Sequence, residues 1–414
     1  MNDVISQHFG RWNSVVQMKR NLWKSRAEIE ELQEERLRRL VEYSRENVPY
    51  YREKLAGAKV NSLEDLRLLP TLSRQDLQKN PDALLSRKFD KAKLRPHPTT
   101  GSSGSSVCPY YSLQEGHYGS ALTFHQQTEA GFGPLDTLAY LRYKLVPNRH
   151  MPRFLYKVKL FPLYLGEADV LRQVADSGAN TLRSYASVLT LLAAANSELN
   201  LSFKRIFSTS EYLSQRARIA LEKSFSCKVH DFYGTNEVSW VAWECGEGSM
   251  HIHSDSVILE VVDERGQPAK EGEILLTSLW RRSMPFIRYK IGDSGSLGTT
   301  CKCGRGTHIL KSLKGKDNDF FILKSGRPWS PMFLENILFE HPQIVLYQAL
   351  QEEPGHLLVN VVVSGPLHTA SIAKELQDCL PEPSDIEIRL VESLPKGRTG
   401  KIKSFISKLK GPAP

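Results

Sequence analysis

Between Thr137 and Phe232 the chain alternates between short runs that suit strands and amphipathic stretches that suit helices. The segments are Thr137–Leu145, Ala168–Ser177, Thr181–Ala195, Arg205–Ser208, Gln215–Ser224 and Lys228–Phe232. Such alternation admits few architectures, because each element must bury an apolar face against a neighbouring layer. It predicts a layered α/β domain. Further on, Val257–Val262 and Glu273–Thr277 read as strands, with a turn at Gly266-Gln267-Pro268 between them. From about Phe320 a smaller unit is expected. It has a helix near Pro331–Phe339, a strand at Leu357–Val363, a helix at Thr369–Leu380 and a strand at Asp385–Leu390. Before the alternation, residues 21–45 read as a long polar helix with apolar positions at Leu22, Ile29, Leu32, Leu37, Leu40 and Val41. Val48-Pro49 should end it, since a residue before proline leaves the helical region. Leu63–Leu85 carries short helical pieces broken by Pro70 and Pro81. At 414 residues the chain is too long for one core, so two or three domains are expected.

Composition excludes several classes. With 40% hydrophobic and 24% charged residues the chain can build a core and is not mainly disordered. Its 27 Gly and 22 Pro follow no period, which excludes collagen-like folds. No apolar run approaches the roughly 20 residues of a membrane span. Met1-Asn2-Asp3-Val4 opens no apolar signal core, so a cytoplasmic location is expected. The net charge of +9 suits an anionic ligand such as a nucleotide, and equally nucleic acid. Six cysteines are too few for a disulfide scaffold.

Three turns carry chemical character. Thr99-Thr100-Gly101-Ser102-Ser103-Gly104-Ser105-Ser106 surrounds two glycines with hydroxyls, so backbone N–H groups and side-chain donors can converge on an anion. The Gly-Lys-Ser/Thr ending of a Walker A loop is missing, and a plain Ser/Gly linker has the same texture. Asp231-Phe232-Tyr233-Gly234-Thr235-Asn236-Glu237 ends a strand in a Gly turn with one aromatic and one carboxylate, a place where Mg²⁺ can sit beside phosphates. Arg288-Tyr289-Lys290-Ile291-Gly292-Asp293 sets a second carboxylate after another strand, where it could accept hydrogen bonds from ribose hydroxyls. Taken singly, Glu237 and Asp293 also read as ordinary turn residues.

Their order is more specific than any one of them. The hydroxyl loop, Tyr-Gly-x-x-Glu, Tyr-x-x-Gly-Asp, Gly-Lys-x-x-Asp at 315–319 and a C-terminal Gly400-Lys401 together resemble the adenylate-forming superfamily of acyl-CoA synthetases. Val48-Pro49-Tyr50-Tyr51-Arg52, Ser210-Glu211, Trp243-Glu244-Cys245 and Pro285-Phe286-Ile287-Arg288-Tyr289 make the chain similar to the phenylacetate–coenzyme A ligase family. The resemblance runs from about residue 10 to 408.

The resemblance implies an α/β fold: a large layered domain over 1–317 and a small, mobile α+β domain over 318–414. It implies that the loop from Thr99 to Ser106 grips the ATP phosphates, and that Thr209, Ser210 and Glu211 lie against adenine with Tyr233 near it. Gly234, Thr235 and Asn236 would bind the nucleotide beside Glu237, which would hold Mg²⁺ and act in catalysis, and Asp293 would bind the ribose. Lys316 would lie in the interdomain hinge. Lys401 would stabilise the charge that develops on the α-phosphate. The chain departs from the family pattern at Ser105, where Lys often stands, at Asn236, where a hydroxyl residue is usual, and at the hinge. There Lys316 and Asn318 replace Arg and Asp, and Lys keeps the charge but loses the bidentate fork.

Cys245-Gly246-Glu247-Gly248-Ser249-Met250-His251 and Cys301-Lys302-Cys303-Gly304 form two half-sites separated by strand-like sequence. Glycines permit the tight turns that bring sulfurs together, and Cys₃His suits one tetrahedral Zn²⁺ in a structural role within an insertion near 245–303. His253 competes with His251 as the fourth ligand, His308 is a weaker candidate, and free, partly buried thiols are the alternative. Cys108, Cys227 and Cys379 lack partners and read as core residues.

The expected activity is ATP-dependent activation of a carboxylic acid to acyl-AMP and pyrophosphate, followed by transfer to the thiol of CoA. Transfer to an amine and a catalytically weak binding protein of the same fold are the alternatives. The resemblance points away from nucleic acid and leaves room for a homodimer.

Overall fold

The computed structural model describes residues 2–97, 108–142, 156–163, 165–314, 320–338, 340–341, 343–363, 365–395 and 404–409. The fold is mixed α/β, as the alternation predicts, and its described residues form two compact units. One lies within 1–97, 108–133 and 230–315, and the other within 134–229 and 316–414.

The first unit is antiparallel. Its strands run in the order Val257–Val262, Gly272–Ser278, Tyr289–Gly298, Ile309–Lys314, Met250–Ile252, Ser239–Glu244 and Lys228–Thr235, the last belonging to this unit from His230. The two strands expected around the Gly266 turn are present and pair from Val257↔Ser278 to Val262↔Glu273.

The polar helix begins at Arg26 rather than residue 21, because Ser25 caps it. The Ser25 hydroxyl accepts from the Glu28 amide, and the Glu28 carboxylate accepts from the Ser25 amide. This reciprocal cap stabilises the first turn by about 1 kcal/mol. The helix buries Ile29, Gln33, Leu37, Leu40, Val41 and Ser44. Gln33 Nε2 donates to the carbonyls of Ser254 (2.8 Å) and Val257 (3.2 Å), which ties the helix to the sheet. The expected stop at Pro49 is instead a restart: the first helix ends at Asn47 and Pro49 opens a second, Pro49–Lys54. Proline fits there because the first turn of a helix leaves its N–H groups without partners. An earlier helix, Asn2–Asn21, was not expected from the sequence.

The second unit holds four parallel strands in the order Arg205–Thr209, Thr181–Tyr185, Thr137–Arg142 and Lys157–Pro162. Every residue of Thr181–Tyr185 is buried, as a strand covered on both faces requires. The segment expected as one element over Thr181–Ala195 divides at Tyr185, and Ala186–Leu199 is helical. Helices Glu167–Asp176 and Gln215–Phe225 complete the layers. Val170, Leu171, Leu182, Leu189, Ile206, Leu221 and Phe225 share one core.

A four-stranded sheet follows in this unit, in the order Asp385–Leu390, His356–Val363, Ile344–Gln351 and Phe405–Ser407, with helices Met332–Leu338 and Thr369–Asp378. The helix at 332–338, the strand at 385–390 and the helix starting at Thr369 fall where the sequence placed them. Among the described residues no helix is long and apolar enough to cross a membrane.

Candidate active site and metal centre

In the first unit the two candidate carboxylates are held by reciprocal tyrosine links. Strand Lys228–Thr235 turns through Asn236, Glu237 and Val238 into strand Ser239–Glu244. The pairing slips between Tyr233↔Ala242 and Gly234↔Trp240, which leaves Val241 as the extra residue of a bulge. Only glycine fits at 234, since a Cβ there would lie 2.8 Å from the Ser239 carbonyl oxygen and 2.9 Å from the Trp240 ring. Ser239 takes a left-handed backbone with φ 70°, unusual for a residue with a side chain. Glu237 is consequently turned inward and is only 7% exposed.

Tyr289, from the strand that carries Asp293, donates its hydroxyl to Glu237 Oε1 at 2.9 Å. Tyr233, from the strand that leads to Glu237, donates to Asp293 Oδ2 at 2.8 Å. Burial, reinforced by the neighbouring carboxylates, pushes both phenols above their usual range, so both remain protonated donors at neutral pH. Each tyrosine bonds one oxygen of its carboxylate, and a carboxylate is a group that can ligate a metal ion or accept from sugar hydroxyls.

Thr209, Ser210 and Glu211 lie in the second unit. Thr209 is buried at the end of its strand, and Ser210 has a left-handed φ of 71°. Glu211 Oε2 accepts from the Ser187 amide at 2.7 Å and Oε1 from the Ser187 hydroxyl at 3.0 Å. Ser187 sits in the first turn of helix Ala186–Leu199, whose N-cap, Tyr185, has no side-chain cap bond. Glu211 therefore supplies that helix with a cap from a distant loop. Ser187 also bonds the Ser330 hydroxyl at 2.7 Å.

Burial raises the Glu211 carboxyl to about 7, against the opposing bonds from Ser187. A raised carboxyl binds its proton more tightly in the folded state. Its contribution is therefore complete below the unfolded value of about 4.3 and is lost as pH rises through 7. Glu211→Gln, which keeps an acceptor oxygen for the Ser187 amide, should remove the corresponding fall in melting temperature between pH 5 and pH 8. Identical pH profiles for the two proteins would contradict this.

Thr99, Thr100, Gly101, Ser102, Ser103, Gly104, Ser105, Lys316 and Lys401 lie outside the described residues.

The cysteine half-sites converge. Ligand atoms of Cys245, His251, Cys301 and Cys303 all lie within 4.8 Å of one another. Cys245 Sγ is 3.7 Å from Cys301 Sγ, and Cys303 Sγ is 3.2 Å from His251 Nε2. The Thr307 hydroxyl lies 2.8 Å from His251 Nδ1 and orients the ring. Burial lowers the His251 imidazole to about 4, so it is neutral at pH 7 with a lone pair available to a metal. His253 faces elsewhere, with Nε2 3.3 Å from Gln126 Oε1, and His308 Nδ1 lies 3.1 Å from the Ser254 hydroxyl. Three thiols and one imidazole at these separations fit a tetrahedral, sulfur-rich metal site. Cys108, Cys227 and Cys379 are only partly buried, and the last two pack at the margin of the second unit's core rather than within it.

Sequence reading missed Tyr289 as the partner of Glu237, although it stands in the quoted Arg288-Tyr289 motif. It also missed Thr307, which meets the His251 ring, and the buried Arg281, which donates to the Glu237 carbonyl at 2.9 Å; both contacts join segments distant in the chain and leave no local pattern.

The comparisons with known proteins agree with this architecture. Residues 322–408 match the family model described as the CapK C-terminal domain. Protein CapK of Staphylococcus aureus is 23% identical over 407 residues, covering 92% of this chain and 89% of that protein. Phenylacetate-coenzyme A ligase of Thermus thermophilus is 28% identical over 359 residues, covering 80% of each. Among solved structures, 2-hydroxyisobutyryl-CoA ligase in the postadenylation state superposes with a TM-score of 0.65 at 18% identity, covering 94% of this chain and 92% of that one. The chain thus has the fold of the adenylate-forming ligases. Within that class it is a relative of the phenylacetate–coenzyme A ligases and carries a CapK-type C-terminal region.

Proposed function

We propose that the chain is an AMP-forming ligase that converts a carboxylic acid and ATP to acyl-AMP and pyrophosphate, then transfers the acyl group to the thiol of CoA. The observation that carries this reading is the pair of tyrosine-locked carboxylates. Glu237 and Asp293 are fixed by donors from each other's strands, as preorganised charge requires. The relatives named as CoA ligases, and the solved ligase bound to 2-HIB-AMP and CoA, favour CoA over an amine as acceptor.

In this reading Glu237 holds Mg²⁺ and Asp293 accepts from the ribose hydroxyls. Gly234, Thr235 and Asn236 set the turn. Thr209, Ser210 and Glu211 form the adenine wall, with Glu211 acting through its grip on helix Ala186–Leu199. Thr99–Ser105 hold the phosphates, Lys316 serves the hinge between a large domain over 1–317 and a small one over 318–414, and Lys401 acts on the α-phosphate. Acyl-AMP is a mixed anhydride, so the protein need only position groups and stabilise developing charge. Cys245, His251, Cys301 and Cys303 hold Zn²⁺, which would supply a structural node and no step of the reaction. A three-thiolate, one-imidazole site around Zn²⁺ carries one net negative charge, and Arg305, which pairs with Glu129 at 2.7 Å, also hydrogen-bonds Cys303 beside it.

Pyrophosphate release across a panel of carboxylic acids, with CoA and with amines, tests the reading. Release that depends on one class of acid, with thioester formed only when CoA is present, is expected. No release with any acid would refute the adenylation step. Asp293→Ala should weaken ATP binding by about 1.5–3 kcal/mol, the scale for hydrogen bonds to a charged acceptor. Wild-type ATP affinity in that variant would refute the ribose assignment. Glu237→Gln, which can still accept from Tyr289, should raise the Mg²⁺ concentration needed for half-maximal rate without lowering the melting temperature.

A further inference from the structure

The winding of the parallel strands in the second unit reverses beside Thr137–Arg142. The next strand in the chain, Lys157–Pro162, pairs with it on one side, whereas Thr181–Tyr185 pairs on the other and Arg205–Thr209 continues beyond. In a parallel sheet a crevice opens at such a reversal, outside the carboxyl ends of the two strands, and ligands bind there. The two strands at the reversal, Thr137–Arg142 and Thr181–Tyr185, set two arginines around one tyrosine. Tyr140 and Arg183 are registered neighbours, and Arg142, two residues after Tyr140, shares its face. The Arg183 guanidinium lies 4.4 Å and the Arg142 guanidinium 5.1 Å from the centre of the Tyr140 ring. The other face carries Ala139, Leu141 and Leu182 into the core of the unit.

Each guanidinium is attracted to the tyrosine ring, but the two repel each other. Arg183 is buried, and Arg142 is half-buried at the last residue of its strand. Burial opposes the Arg142 charge, and the Tyr140 and Tyr185 phenols favour it, the second through a hydrogen bond. No carboxylate of the described residues is among the groups that act on it. The Arg142 Nε is buried without a hydrogen-bond partner among the described residues. The chain beyond Arg142 adds no acid either: up to Gly166 it holds Lys144, Arg149, Arg153, Lys157 and Lys159 but neither Asp nor Glu. A phenol is neutral at pH 7 and cannot serve as counter-ion, and a cation removed from water without one is costly. An anion with two oxygens would supply both the missing charge and acceptors matched to the guanidinium fork.

We propose that Arg142 and Arg183 bind a second anionic group of the acid substrate, a carboxylate or a phosphate, so that the chain activates dianionic acids in preference to simple monoacids. This rests on the adenylation reading given above and names the class of acid for it. The position suits that role. Tyr185, which closes the strand of Arg183, pairs with Thr209, where the segment assigned to adenine begins. The arginines therefore stand on the first and second strands beside that segment, within the same unit.

The test measures pyrophosphate release by the full chain with matched acids: butyrate and succinate, hexanoate and adipate, benzoate and terephthalate, with 3-phosphonopropanoate set against succinate. At least one dianionic acid should exceed its monoacid partner in kcat/KM by about 10–100-fold, the scale of one or two charge-assisted hydrogen bonds. Arg142→Gln should bring that ratio close to one, and Arg142→Lys should restore part of it, since lysine keeps the charge but not the fork. The phosphonate arm tells whether phosphate or carboxylate is the better second group. Monoacids that match or exceed every dianionic partner in the wild-type protein would overturn the proposal. So would an Arg142→Gln protein that loses activity equally with both members of a pair, which would mark a merely structural residue. If Arg142→Gln does not fold, the ratio in Arg142→Lys decides. If no acid releases pyrophosphate, the adenylation reading falls, and calorimetry with the same acids decides the anion site by itself. Binding of a dianionic acid that the Arg142 variant weakens would keep the site, and no binding by the wild-type protein would remove it.

Discussion

Lys401→Ala should slow acyl-AMP formation by roughly 10²–10³-fold, the scale for removing one preorganised donor to developing charge. ATP binding should change little, because in the proposed role the lysine acts on charge that appears in the transition state. Supplied acyl-AMP should still be converted to thioester with CoA, since in the expected two-step cycle the small domain presents a different face in the second step. Lys403→Ala is the control for loss of positive charge in the same segment and should be close to neutral. The comparison uses pyrophosphate release for the first half-reaction and thioester formation for the second. Normal adenylation in Lys401→Ala, or equal damage from Lys403→Ala, would leave only a diffuse basic segment.

The second large effect concerns the metal. Purified protein should contain about one Zn²⁺ per chain. Cys301→Ser and Cys303→Ser should each lose it, and His251→Ala likewise. His253→Ala should retain it, because its Nε2 faces Gln126 and not the cysteines. Structural zinc is worth on the order of 10–16 kcal/mol in apparent binding energy, which matches or exceeds the whole stability of a typical domain, about 5–15 kcal/mol. The metal-free variants should therefore lose cooperative melting rather than shift it by a few degrees. Thr307→Val should keep the metal but bind it about 10–100-fold more weakly, since the ring it orients is left free to turn. Elemental analysis finding no zinc, with all three thiols free to react, would refute the site.

What could be read from the sequence follows the range of the interactions involved. Val257–Val262 and Asp385–Leu390 were legible because β-branched runs bounded by turn residues act locally. The four metal-ligand candidates were legible because glycines and cysteines at short spacing already describe a knuckle, and the choice of His251 over His253 needed only the direction of two rings. Helix Leu113–Glu129 was not legible. Its buried face includes Glu115, His117, His125, Gln126 and Gln127, so it shows no apolar stripe to find. The boundary at Tyr185 was hidden because the helix begins at Ala186 directly after the strand, with no glycine or proline between them. For the site, the two turns could be seen as turns, but the crossed tyrosine links and the Arg281 hydrogen bonds to the Glu237 and Tyr110 carbonyls connect residues 44 to 171 positions apart.

The bulge at Val241 gives the Glu237 hairpin a fixed count. Side chains along a strand alternate faces, so one residue more or fewer between Gly234 and Trp240 would either shift strand Ser239–Glu244 against its partner or change the turn that holds Glu237. Many single substitutions in that turn would preserve its course, whereas a one-residue insertion or deletion would not. The turn from Asp263 to Pro268 connects the outer pair of strands of the same sheet and is largely exposed, so loop-closure entropy is the main cost of lengthening it. Two hairpins of one sheet thus differ in kind. An epitope, label or fused domain can be accommodated at 264–267, while at 235–240 the number of residues itself sets where Glu237 lies.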